Sequence, residues 1–159
     1  MKIWHTELVP LLPQWLLEKQ WGDCLEIAKN LALTGETGDP MVYPVIEYDF
    51  HHLDFYCGMV QDALAKHGVK VTKHVLNRLL KQAMERPRKV RKRETVIKIP
   101  EQASDVFRLW HTPHYFRQCF FQLEEMYDRG LISRDDWKPI AYLVYEQVTD
   151  EKRRKAFRK

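Results

Sequence analysis

Apolar side chains recur at three- and four-residue steps along nearly all of this 159-residue chain, and each run is closed by glycine or proline. That period points to helices. From Pro13 to about Leu33, Leu16, Leu17, Trp21, Cys24, Leu25, Ala28, Leu31 and Ala32 trace one face, with Glu18 and Lys19 turned to solvent. Pro13 suits a first turn, and Gly35 with Gly38-Asp39-Pro40 closes the segment in a loop. A second helix is predicted from about Asp49 to His67, with Leu53, Tyr56, Cys57, Val60, Ala63 and Leu64 inward and Gly68 as its stop. Thr72 is placed to cap a third through about Glu85, with Val75, Leu76, Leu79, Leu80 and Ala83 inward.

Pro87 then breaks the pattern inside a basic run. Thr95-Val96-Ile97-Lys98-Ile99 reads as extended up to Pro100, too short and isolated to define a sheet. Ser104 is expected to cap a short helix to Trp110. Thr112-Pro113 opens a helix to Arg129 that Gly130 stops, with Phe116, Cys119, Phe120, Leu123, Met126 and Tyr127 on its apolar face. Ser133-Arg134-Asp135-Asp136 resembles a capping box with Asp in place of Glu. It opens a last helix lined by Trp137, Ile140, Ala141, Val144 and Val148. The expected architecture is all-α: a single-domain compact bundle of about five to six helices over residues 1–150, followed by a basic tail at 151–159.

Composition bounds the setting. With 45% hydrophobic and 12% aromatic residues the chain can bury a sizeable core, which argues against disorder. No apolar run reaches the ~18–20 residues of a membrane span, and the first residues lack the pattern of a signal peptide. Cys24, Cys57 and Cys119, an odd number without motif spacing, fit the reduced thiols of a cytoplasmic protein.

The net charge of +4 conceals an asymmetry. Arg86, Arg88, Lys89, Arg91, Lys92 and Arg93 crowd residues 86–93, and six further cations crowd 152–159; neither run holds an acid. The remaining residues carry 14 bases against 22 acids, a net of −8. An acidic body with two basic arms points to a polyanionic partner, because each cation that meets a phosphate releases a counterion. Such arms give affinity without base specificity and serve DNA or RNA equally. A solvated loop and a solvated tail are the plain alternative.

Two histidine clusters are the candidates for a metal site. His51 and His52 are adjacent on a helix, about 100° apart, and do not easily share one ion. His111 and His114 enclose Pro113 and lack a third ligand. No phosphate loop, nucleophile elbow or paired-cysteine zinc pattern is present. No metal and no cofactor is called for.

The N-terminus carries the most information. Met1-Lys2-Ile3-Trp4-His5 leads to Leu8-Val9-Pro10, Leu12-Pro13, Leu16-Leu17 and Gln20. This order resembles the opening of the endonuclease V-type pyrimidine-dimer DNA glycosylases and their bacterial relatives. The looser parallels are Tyr43 to Gly68 (Tyr56, Met59-Val60, Lys66-His67-Gly68) and His111-Thr112-Pro113-His114-Tyr115 through Gly130-Leu131-Ile132. The resemblance covers about half the chain and is specific over the first 25 residues.

The resemblance implies an all-α enzyme whose nucleophile is the terminal α-amine. Such enzymes attack the sugar C1′ of a damaged nucleotide, release the base, form a Schiff base and cleave the strand by β-elimination. A terminal amine suits that task. With an ordinary pKa near 8, roughly a tenth of it is neutral at pH 7, whereas a lysine near 10.4 is almost wholly protonated. Lys2 disfavours removal of Met1, so Met1 supplies the amine, and Lys2 itself contacts phosphate.

The departure lies at positions 20–23. Relatives read Gln-His-Arg-Glu where this chain reads Gln20-Trp21-Gly22-Asp23. In the family the Glu stabilises the cationic sugar and the Arg holds DNA. Asp23 keeps the charge on a side chain one methylene shorter, and displacement of about 1 Å can cost ~10²-fold in rate. Glu26, one turn on, is the other acid in reach, and Gly22 removes the Arg contact. The leading expectation is therefore a DNA-binding glycosylase/AP lyase scaffold with an altered catalytic signature. Its partner is damaged duplex DNA, with Met1 and Asp23 catalytic, and Lys2 and the 86–93 cations on phosphate. Two readings from other classes stay open: a non-catalytic nucleic-acid-binding module, and a helical interaction protein with basic arms.

Overall fold

A computed structural model describes residues 1–87 and 97–157, with side chains through residue 145. Among the described residues there are five α-helices and no strand: α1 (Gln14–Thr34), α2 (His51–Lys66), α3 (His74–Glu85), α4 (Pro113–Asp128) and α5 (Arg134–Phe157). The all-α expectation holds. No helix among these residues is long and apolar enough to cross a membrane.

α1 is the central element and packs on both α2 and α3. Leu17, Cys24, Ile27 and Leu31 of α1 meet Leu53, Tyr56, Val60 and Leu64 of α2 and Leu76 and Leu80 of α3 in one buried cluster. The segment before α1 belongs to the same cluster through Ile3, Trp4, Leu8, Val9 and Leu12. Burying such side chains stabilises by about 1.5–3 kcal/mol each, so the N-terminus is anchored rather than frayed. α1 ends at Gly35, whose φ of +77° is the left-handed conformation that closes helices, and its N–H returns to the Leu31 carbonyl. All three cysteines are buried and free. The Cys24 thiol is pushed up by its hydrogen bond with Cys57 and then by burial, which leaves it inert.

Several boundaries differ from expectation. α2 begins at His51, not Asp49, because the Asp49 carboxylate turns the chain by accepting the His51 N–H at 3.1 Å. Thr72 does not cap α3. Residue 73 precedes that helix, and Lys73 Nζ is drawn back to Asp54 Oδ1 at 2.6 Å while Gln61 Nε2 holds the Val71 carbonyl at 2.8 Å. Val75, expected inward, is exposed. Ser104 lies inside a 3₁₀ turn, Ala103–Asp105, instead of capping a helix to Trp110; Gln102 and Asp105 form the capping box there. No helix follows, because the buried Phe107 adopts φ +50°, outside the helical region. The extended stretch expected at 95–99 falls partly outside the described residues, and Ile97 to Pro100 form no strand.

Other signals stand as read. Thr112 Oγ1 accepts the Tyr115 N–H at 3.2 Å to start α4, Gly130 (φ +76°) ends it, and Ser133 Oγ accepts the Asp136 N–H at 3.2 Å to start α5. α5 is continuous from Arg134 to Phe157. One element went unforeseen: a 3₁₀ helix, Pro40–Glu47, capped by Asp39. Pro40 and Pro44 withhold the N–H groups an α-helix needs there.

Candidate active site

Residues 1–6 have no helical ladder of their own, so side chains from elsewhere satisfy their backbone. The α1 residue Gln20 does most of this. It is 1% exposed; its Oε1 accepts the Trp4 N–H at 2.9 Å and its Nε2 donates to the Lys2 carbonyl at 2.7 Å. The Tyr56 hydroxyl of α2 donates to the Trp4 carbonyl at 2.7 Å, and Tyr115 of α4 donates to the Ile3 carbonyl. Burial pushes both tyrosines well above their ordinary values, so they remain donors. Histidines secure the next residues. His5 Nδ1 accepts the Glu7 N–H at 3.1 Å, which leaves its Nε2 to donate to the His111 carbonyl at 3.1 Å. His111 Nδ1 in turn accepts the Thr6 N–H at 3.1 Å.

This scaffold places the terminus beside two carboxylates. Asp23 Oδ2 accepts the Lys2 N–H at 3.1 Å, one peptide unit from the α-amine. The amine itself lies 2.8 Å from Asp39 Oδ2. The fold thus brings Asp23 to the Lys2 backbone, next to Met1, while the Met1 amine itself pairs with Asp39. Glu26 is exposed and lines neither groove at the terminus. The amine beside Asp39, with the Met41 N–H, holds that carboxyl below its ordinary range.

Lys2 marks the boundary between two open grooves. One, of about 280 Å³ between α1 and α4, has Trp4, Leu16 and Met126 against the charged Lys19, Asp23, Glu125 and Arg129, the last two ion-paired at 3.0 Å. The other, of about 440 Å³, is bordered by Met41, Tyr115, Gln118, Phe121 and Gln122. Lys2 Nζ stands 5.0 Å from the Trp4 ring centroid and 5.1 Å from that of Tyr115, a cation held over two aromatic faces.

The remaining sequence-predicted residues divide. Arg86 is exposed near the C-terminal end of α1, its Nε 3.6 Å from where a Cβ on Gly35 would sit. That is twelve residues, or ~18 Å of helix, from Asp23. Arg88, Lys89, Arg91, Lys92 and Arg93 lie outside the described residues. Among the described residues no group of three metal-ligating side chains converges. His52 is buried in the core, and His114 is exposed and pairs with Gln118.

Sequence reasoning missed Asp39, Gln20, Tyr56, Lys19 and Arg129. Asp39 showed only as part of a Gly-Asp-Pro turn, and a glutamine on a helix reads as solvent-facing. Gly22 is exposed, and a Cβ added there meets nothing within 4 Å. Gly22→Ala should therefore raise stability by about 0.5–1 kcal/mol, seen as a higher denaturation midpoint; a lower midpoint would show that the glycine is required.

No family model, no curated protein and no solved structure matches the chain, so its function has to be read from its own residues.

Proposed function

We propose that the protein is a DNA glycosylase/AP lyase of the pyrimidine-dimer type, acting through the α-amine of Met1. The observation that carries this reading is the placement of the terminal backbone against Asp23: the Lys2 N–H is bound by the same residue that stands where relatives have their catalytic Glu. A terminus fixed by Gln20, Tyr56 and Tyr115 is preorganised, and fixed geometry is what nucleophilic attack at a sugar carbon requires.

In this reading the neutral amine attacks C1′, the base leaves, and the sugar ring opens to an iminium. Asp23 supplies negative charge to the cationic sugar and takes part in proton transfer. Lys2, with Lys19 and Arg129 along the same groove, meets phosphate. The 86–93 cations extend that contact. The partner is damaged duplex DNA, and no cofactor takes part.

A second reading is favoured by one observation. The terminal amine is engaged in an ion pair with Asp39 at 2.8 Å. A non-catalytic DNA-binding module fits an amine engaged in this way. Borohydride separates the two. Incubated with an abasic duplex and borohydride, the enzyme forms a covalent protein–DNA adduct, whereas the binding module forms none.

A further inference from the structure

We infer that Asp39 is a second catalytic carboxylate of this site, the ion-pair partner of the Met1 nitrogen at rest and the counter-ion to the Schiff base that this nitrogen forms. The inference rests on the proposed role of the Met1 amine, and it assigns a function to a residue 38 positions away in sequence.

Asp39 is presented to the amine by a framework that does not depend on the terminus. Its Oδ1 accepts the Met41 N–H at 2.9 Å as the cap of the Pro40–Glu47 turn. Its carbonyl receives the Thr37 hydroxyl at 2.9 Å, and the Thr37 carbonyl is held by Asn30 Nδ2 of α1, also at 2.9 Å. Gly38 sits between them at φ +81°, where a Cβ would come within 2.4 Å of Asn30 Nδ2, so only glycine permits this approach. The second oxygen, Oδ2, is left for the amine. The side-chain exposures of Met1 and Asp39 are 16% and 22%, so the pair is shielded on most sides while staying open to substrate.

The chemistry conserves charge at that spot. An ammonium R–NH₃⁺ and an aldehyde O=CH–R′ give the iminium R–NH⁺=CH–R′ and water. The N–C bond forms, the C=O bond breaks, and two of the three nitrogen protons leave with the oxygen. One N–H and one positive charge remain on nitrogen at the end, as at the start. A carboxylate at 2.8 Å is matched to both end states and opposes only the neutral amine between them. Asp39 is therefore placed to face the positive charge on this nitrogen at both ends of the step.

The test needs no DNA. Asp39→Asn and Asp39→Ser both retain a side-chain oxygen for the Met41 N–H while removing the charge. The probe is fluorodinitrobenzene, which reacts with neutral amines; the modified chain is cut after Glu7 and fragmented to separate Met1 from Lys2. Both variants should label Met1 about two- to fivefold faster than wild type at pH 7. The rates should converge at pH 10, well above the ordinary α-amino range near 8. Equal rates at pH 7 would overturn the inference. So would the same acceleration at both pH values, since that describes a loosened terminus rather than a lost charge. If labelling behaves as expected while abasic DNA yields no borohydride adduct, Asp39 controls the amine and the glycosylase/lyase reading is the one that fails.

Discussion

Replacing Asp23 by Asn should slow single-turnover cleavage of an abasic duplex by about 10²-fold or more. Asn keeps an oxygen able to accept the Lys2 N–H now held at 3.1 Å, so the terminal backbone should stay in place. What is lost is the negative charge that the proposed mechanism sets against the developing cation. DNA affinity should rise slightly, because an acid is removed from a groove that also holds Lys2, Lys19 and Arg129. A variant that cleaves within about twofold of wild type would remove Asp23 from the chemistry and leave it as a backbone anchor. Loss of affinity alongside loss of cleavage would point to a misplaced terminus instead.

The second large effect is on stability. Between pH 7 and pH 5.5 the protein should lose about 2–4 kcal/mol, through the buried His5 and His52 and the half-buried His111, which share one arrangement. His5 Nδ1 accepts the Glu7 N–H, His52 Nδ1 accepts the Phe107 N–H at 3.1 Å, and His111 Nδ1 accepts the Thr6 N–H. Each ring is neutral, and a proton added at Nδ1 would face a backbone N–H. Burial lowers all three. For His5 it is opposed by the bond to the His111 carbonyl and by Glu7, and for His52 by the Ile97 carbonyl, Asp49 and Asp105. For His111 it is reinforced by His5 and Lys2, and that ring falls well below 6.5.

In the unfolded chain each ring titrates near 6.5. Just below that pH the unfolded chain holds protons that the folded chain refuses, so stability is full above about pH 7 and falls as the pH drops. The slope is about 1.4 kcal/mol per pH unit for each ring, until the pH reaches its folded value. Urea denaturation at the two pH values measures the difference. Unchanged stability would mean that these rings titrate in the fold as they do in the unfolded chain. His52→Asn, which can keep an acceptor near the Nδ1 position, should reduce the slope by about one third.

The helices were legible because they bury one face, and burial imposes a period. Leu53, Tyr56, Cys57, Val60 and Leu64 describe α2 without any knowledge of α1. Stops were legible for a local reason: Gly35, Gly68 and Gly130 all take the positive φ that glycine adopts freely. Starts were harder. Thr112 and Ser133 cap as expected, but Thr72 lost to a contact between Lys73 and Asp54, which lie on different elements. Ser104 lost to the capping pair Gln102 and Asp105 beside it.

The site divides along the same line. Met1, Lys2 and Asp23 could be singled out from a short N-terminal pattern, and the fold does bring Lys2 and Asp23 into contact. Asp39 could not be found, because its link to Met1 spans 38 positions and depends on how the loop after α1 is folded back by Asn30 and Gly38. Gln20 and Ile27 displaced Trp21 and Leu25 from the most buried face of α1. Gln20 is buried because the terminal backbone needs a donor and an acceptor there, a demand that hydropathy does not record.

If the Met1 nitrogen is the proposed nucleophile, a trapped adduct should sit on that atom and no other. An abasic duplex is reduced with borohydride in the presence of the protein, the complex is digested, and the modified atom is found by fragmentation. The account predicts a single adduct on the α-amine of Met1, lost when the terminus is blocked by acetylation. An adduct on a lysine side chain, or none at protein concentrations that saturate the DNA, would contradict it.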